Sequence, residues 1–298
     1  MRVGGANEKQ AKTAKPSRWL RSARAIWRFS QDYPLGALSA FILFTMIMIA
    51  ILGPLLTPYD PLTQNLRERL QPPSLAHLAG TDQFGRDIMS RLIIGARMAM
   101  FIGFTASISR ITIGGIIGII SAYAGKKTDM IIQRFMDTFQ AFPNMVLIIA
   151  LIAVLGPSIP NLIIAITVPG LPGPNRLTRS ITLSVREHQF IEAARSIGAT
   201  PARIIFLHIV PQCVAAYLIL WSGSLGGAIL AESSLGFLGL GVPPPHPAWG
   251  ASLNEAMRIH GAPWTAIFPG LAITAAVFAA NLLGDALRDV WDPRLKRL

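Results

Sequence analysis

Five histidines, a single cysteine and a sparse set of carboxylates are what this 298-residue chain offers to catalysis, and their spacing assembles no reaction centre. His77, His188, His208, His246 and His260 give no H-E-x-x-H pair, the helical spacing that places two imidazoles on one metal ion. There is no G-x-S-x-G elbow to expose a nucleophilic serine. Gly125-Lys126-Lys127-Thr128 superficially resembles a phosphate loop, but Ile120 stands where the first glycine belongs and Lys127 where Ser or Thr should follow the lysine. Cys213 has no second cysteine for a disulfide or a thiolate metal site. These residues predict a non-catalytic chain that binds no metal and no cofactor of its own, so energy for any active process has to come from a partner.

The elements carrying these residues belong in a bilayer. With 52% hydrophobic and 14% charged residues, the chain is too apolar for an ordinary soluble domain. Apolar runs near 35–57, 98–123, 213–240 and 264–287 each reach the roughly 20 residues of a spanning helix. A further apolar stretch from Phe142 to Gly173 is broken at Gly156-Pro157-Ser158-Ile159-Pro160, which reads as a tight hairpin between two more spans. The first of these extends back towards Arg134. The second meets Pro169-Gly170-Leu171-Pro172-Gly173-Pro174, where helical hydrogen bonds cannot continue, and broken backbone at membrane depth is tolerated only when buried or lining a cavity. The expectation is an all-α polytopic membrane protein with six transmembrane helices.

A formal charge of +12 could point to nucleic acid, but its distribution argues otherwise. Lys and Arg concentrate before Pro34, in the loop after Tyr123, between Pro174 and Gln212, and after Ala286, whereas 58–97 and the segment after Gly241 hold few. That asymmetry is the positive-inside pattern and predicts both termini in the cytoplasm. Lys9, Lys12, Lys15, Arg18, Arg21, Arg24 and Arg28 read as a topology signal touching anionic lipid headgroups, not as a nucleic-acid arm. The first apolar run ends in Leu56-Thr57-Pro58-Tyr59 without a small-x-small cleavage pattern, and is expected to stay as an anchor.

Between the hydrophobic spans, Ser184 to Pro211 read as a basic amphipathic helix-turn-helix. Ser184 and Glu187 have the form of a capping box opening a helix that runs to about Ile197. Gly198 suits the left-handed residue beyond a helix end, and Thr200 and Pro201 suit the N-cap and first position of the next helix. Glu192 offers a charge-assisted contact, and Ala193 and Ala194 permit close backbone approach by another protein.

The spacing Glu192-Ala193-Ala194, Gly198, His208 and Pro211 resembles the EAA loop of the permeases of bacterial binding-protein-dependent ABC importers. The family pattern ends I-x-L-P, where this chain has His208-Ile209-Val210-Pro211. Gly80-Thr81-Asp82-Gln83-Phe84-Gly85-Arg86-Asp87-Ile88-Met89-Ser90-Arg91-Leu92 is similar to a loop of the oligopeptide and dipeptide branch, as are Ala231 to Gly241, Pro247 to Gly250 and Asp292-Pro293-Arg294-Leu295. The resemblance implies a type I importer (MetI-like) permease core over 98–286. An N-terminal tail, anchor and external loop over 1–97 would precede it, and a cytoplasmic tail over 287–298 would follow. It implies a bacterial inner-membrane location, with three kinds of partner besides lipid: a second homologous permease, two ATPase subunits that carry ATP and magnesium, and an extracytoplasmic solute-binding protein. Glu192, Ala193, Ala194, Arg195, Gly198, Ala199 and Arg203 would form the coupling helix seated on an ATPase subunit. Peptides are the implied solute, with nickel or another small solute as the alternative. A secondary transporter or channel would need no ATPase and would usually show an inverted repeat, which is not evident here.

Two ionisable residues fall within apolar runs, where charge is costly and marks a pathway or a partner. Arg110 sits near the centre of its span and Glu232 towards the end of another, and each is a candidate for the translocation path or for a pair with the other. Gly103, Gly114, Gly115 and Gly118 lie on or near one helical face and predict close helix packing.

Overall fold

The computed structural model describes residues 29–291 and is helical, with no strand among them. The basic N-terminal tail and Asp292-Pro293-Arg294-Leu295 lie outside the described residues. Four helices are long and apolar enough to cross a membrane: α1 (Pro34–Leu56), α2 (Ile88–Ala124), α9 (Val210–Phe237) and α11 (Trp264–Trp291). Helix α9 forms one continuous helical run with the segment before it, Pro201–Phe237. The four predicted runs therefore form, with α2 beginning ten residues before its apolar run because Asp87 caps its start, accepting from the Ser90 amide at 2.7 Å.

The remaining helices are short: α3 (Lys126–Gln140), α4 (Asn144–Leu155), α5 (Ile159–Thr167), α6 (Pro172–Arg186), α7 (Gln189–Ser196), α8 (Pro201–Ile204) and α10 (Trp249–Ala256). The predicted extension of the third span back towards Arg134 is not one rod. Helices α3 and α4 meet at 92°, because Pro143 disfavours helical backbone at Phe142 and then caps α4. The tight turn predicted at Gly156-Pro157-Ser158 forms, between the short helices α4 and α5. Gly156 takes a φ of +81°, the Ser158 side chain accepts from the Asn161 amide, and Asn161 Nδ2 donates to the Leu155 and Gly156 carbonyls at 2.8 and 3.0 Å.

The proline-rich stretch after α5 interrupts the α-helical ladder as expected, yet the gap is bridged by a 3-10 turn, Val168–Gly170, and not by extended chain. Leu171 keeps helical dihedrals and α6 starts at Pro172, so its prolines occupy first-turn positions where an amide has no helical partner to lose.

Long helices pack side by side: α9 along α11, α2 along α6, and α1 against both α2 and α11. The glycine face of α2 makes this possible. A Cβ at Gly114 would lie 2.6 Å from the Leu171 carbonyl, and one at Gly118 would collide with Thr178 Oγ1 and the Asn175 carbonyl. At Gly103 it would lie 2.7 Å from Ile229 of α9. Close approach of this kind substitutes for the hydrophobic drive that lipid cannot supply. Gly118→Leu is expected to force α2 from α6 at a cost of about 1–3 kcal/mol, seen as a lower melting temperature and loss of the monodisperse peak in detergent. Gly270→Ala, which meets open space in α11, is expected to be neutral or to stabilise by up to about 1 kcal/mol in the same assay.

Candidate functional site

Helices α7 and α8 form the elbow that the sequence places between spans. Its opening differs from expectation. Ser184 is not a helix start but lies in the last turn of α6, whose face bearing Thr178, Thr182 and Val185 is buried and carries the helix on to Arg186. The Ser184 carbonyl accepts from the Glu187 amide at 3.3 Å and from His188 Nδ1 at 2.9 Å, so the sharp reversal falls at Glu187-His188 and α7 starts at Gln189. Beyond α7 the turn is as read. Gly198 has φ +79°, the Gly198 and Ala199 amides donate to Arg195 and Ala194 carbonyls, and Thr200 Oγ1 accepts from the Arg203 amide at 3.3 Å.

The elbow has an anchored underside and an open outer face. Ile191, Ile204 and Ile209 are fully or almost fully buried, clustering with Ile119 of α2, Val185 of α6 and Cys213 of α9. Arg186, at the end of α6, donates to the Ala122 and Tyr123 carbonyls, closing the C-terminus of α2 beside the elbow. On the outer face Glu192, Ala193, Arg195, Gly198 and Arg203 are exposed. The side chains of Glu192 and Arg195 have no partner among the described residues, whereas Ala194 is buried and Ala199 half-buried against the elbow's own core. The close approach expected of both alanines therefore falls to Ala193. Sequence reasoning passed over Ile197, which is 86% exposed at the apex, and over Phe190, whose ring meets those of His188 and His208 in tilted contacts at centroid distances of 5.4 and 5.8 Å. An apolar residue at the tip of an otherwise polar elbow was the signal available.

The second arm of the elbow is continuous with a membrane span. Residues Ile205–Ile209 form a π turn that joins α8 directly to α9. Pro211 has no amide for the Leu207 carbonyl, and widening the ladder there relieves the clash that a regular α-helix would impose. The result is one rod of 37 residues, about 55 Å long at 1.5 Å per residue.

Arg110 and Glu232 do not pair. Arg110 Nε donates to the Gly170 carbonyl at 2.8 Å, the acceptor left vacant because residue 174, which would have bonded it in a helix, is proline. Glu232 is fully buried; Ser233 Oγ donates to its Oε2 at 3.2 Å, and Oε1 has no partner among the described residues. Glu232 thus makes no side-chain hydrogen bond to another helix among the described residues. Arg110 lines a cavity of about 90 Å³ with Ser107, Asn144, Ile148, Gly227 and Ala231 among its walls.

A second polar centre lies in the loop before α2. Arg86 Nε and Nη2 reach Asp82 Oδ2 and Glu255 Oε2 of α10, each at 2.5 Å, and Arg91 lies 3.7 Å from the same two carboxylates. His77 Nδ1 is 2.9 Å from Asp87, in burial, and Trp249 Nε1 donates to the Leu92 carbonyl. These contacts fasten the loop and α10 to the start of α2.

Long apolar helices packed on glycine, with an exposed polar elbow continuous with one of them, define a polytopic helical membrane protein. The profile of the binding-protein-dependent transport system inner membrane component matches residues 114–297, and that of the N-terminal transmembrane domain of oligopeptide transport permease C matches 21–73. The chain is 43% identical to a dipeptide transport system permease of Alkalihalophilus pseudofirmus, over 88% of this chain and 86% of that protein. It is 41% identical to a glutathione transport system permease of Pectobacterium atrosepticum, over 92% and 91%, and 34% identical to a dipeptide permease of Bacillus subtilis, over 91% and 85%. The chain belongs to the family of inner-membrane components of binding-protein-dependent transport systems, and is a multi-pass inner-membrane permease subunit.

Gly198→Ala is expected to cost the elbow about 1–2 kcal/mol through its left-handed backbone, and Thr200→Ala about 1 kcal/mol through the lost cap. Hydrogen exchange across 189–204 should quicken in both variants, with exchange in α2 and α6 unchanged.

Proposed function

We propose that this chain forms one half of a peptide translocation pore, and that the elbow of α7 and α8 is the joint through which ATPase subunits move it. The arrangement that carries this reading is an exposed outer face, Glu192, Ala193, Arg195, Gly198 and Arg203, without a side-chain partner among the described residues, on an elbow whose second arm runs on from Pro201 through Phe237 as one rod. Displacing such a face displaces the span with it, because the underside is packed on α2 and α6. The names of the relatives, dipeptide and glutathione permeases, support a peptide solute.

In this reading the pore has six crossings: α1, α2, the bent pair α3–α4, α5 with α6, α9 and α11. Both termini and the elbow face the cytoplasm, consistent with the distribution of Lys and Arg. A second permease completes the pore, two ATPase subunits bind and hydrolyse ATP with magnesium, and an external binding protein delivers the solute. Nucleotide-driven closure of the ATPases rocks the bundle between outward-open and inward-open states as rigid bodies. This chain contributes no catalytic group; its part is positional.

Glu192→Arg is expected to reduce peptide uptake in proteoliposomes of the complete transporter about tenfold or more. ATP hydrolysis should persist and the chain should remain at normal level in the membrane. Normal coupling of uptake to hydrolysis in that variant, or labelling of a cysteine at position 195 only from outside the cell, would overturn the assignment of the elbow.

A further inference from the structure

Arg110 is held in an arrangement that its role in capping a helix break does not exhaust. It lies 14 residues, about 21 Å along the helix, from the end of α2 at Ala124, in the middle of the apolar run 98–123. Its Nε is committed to the Gly170 carbonyl. Its two terminal nitrogens have no hydrogen bond, and no carboxylate pairs with the guanidinium, among the described residues. A guanidinium pinned through Nε presents its remaining edge as a fork of two parallel donors, the geometry that matches a carboxylate.

The space beside it has a matching size and lining. The cavity of about 90 Å³ corresponds to about three waters, enough for a carboxylate and too small for a whole peptide. Asn144, at the start of α4, contributes a side-chain amide with no partner among the described residues. Ser107 adds a hydroxyl that is bonded to the Phe104 carbonyl, and Ile148, Ile166, Ala228 and Ala231 supply apolar wall around these groups. Glu232 does not line the cavity, so nothing in it competes as an internal anion. Gly170 is part of the device: a Cβ there would collide with Arg110 Nε and Cδ and dislodge the guanidinium.

We propose that the Arg110 fork, with Asn144 beside it, is a transient receptor in the translocation path for the C-terminal carboxylate of the transported peptide. The proposal rests on the peptide-permease reading above and adds the chemical group that the pore itself recognises. An uncompensated charge within an apolar run is costly, and a passing carboxylate relieves that cost only while it is bound, so the site favours entry of the anionic end without retaining it.

The test compares alanyl-alanine with alanyl-alanine amide in proteoliposomes of the complete transporter, each peptide supplied at saturating concentration. Wild type should take up the acid in preference to the amide. Arg110→Gln and Gly170→Ala should lower uptake of the acid about tenfold to a hundredfold and of the amide no more than about twofold, and Arg110→Lys should keep a weakened preference. A second measurement bypasses the binding protein: acetyl-alanine should raise the melting temperature of the purified transporter, acetyl-alanine amide should not, and Arg110→Gln should abolish the rise. Equal loss of acid and amide uptake would make Arg110 a helix cap or the partner of an acid on the facing permease, and would overturn the proposal. So would indifference of the wild type to the two peptides, or an acetyl-alanine effect that survives in Arg110→Gln. Absence of any peptide uptake by the wild type would instead sink the function on which it rests.

Discussion

Hydrocarbon offers no hydrogen bonds, so every interruption of a spanning helix has to be satisfied from within the protein. That constraint organises this bundle. The stretch from Pro169 to Pro174 removes three amides from the ladder, and the structure answers with a 3-10 turn and with the Arg110 side chain on the Gly170 carbonyl. The π turn before Pro211 and the Asn161 amide on the Leu155 and Gly156 carbonyls solve the same problem elsewhere. The Arg110 bond to Gly170 reaches across 60 residues and ties α2 to the break, whereas the π turn and the Asn161 bonds are repairs within their own segments.

The glycine face of α2 is the counterpart of those repairs. Because Gly114 and Gly118 let α6 approach to backbone contact, the end of α6 arrives beside the end of α2, and Arg186 can close its last carbonyls. The bidentate pair of Arg179 with Asp129, reinforced by Ser121, ties α3 to the same junction. The elbow is built on that platform. Its inner isoleucines pack on residues of α2, α6 and α9, and its outer face is exposed.

Much of this was legible in the sequence because the signals were strong and local. Twenty-residue apolar runs, the hairpin at Gly156-Pro157-Ser158 and the Gly198-Ala199-Thr200-Pro201 turn each carry their own physical reason, and each forms. What could not be read was decided by tertiary contact. Ser184 and Glu187 have the spelling of a capping box, but burial of Thr178, Thr182 and Val185 carries α6 past Ser184. Ala193 and Ala194 are the same residue type at adjacent positions, and the helical period alone sends one outward and the other into the core. Arg110 and Glu232 looked like partners because opposite charges in lipid attract; the orphaned carbonyl of Gly170, invisible without the fold, gave Arg110 a different bond.

The ionic lattice at the other end of the molecule has a mechanical meaning. Arg86 and Arg91 each lie between Asp82 and Glu255, and Trp249 is bonded to Leu92, so the loop before α2, α10 and the head of α2 are clamped into one plate. A plate cannot yield strand by strand. Any displacement of that loop therefore moves the whole head of α2 at once, and α2 runs as one helix from there to the junction where the elbow is seated.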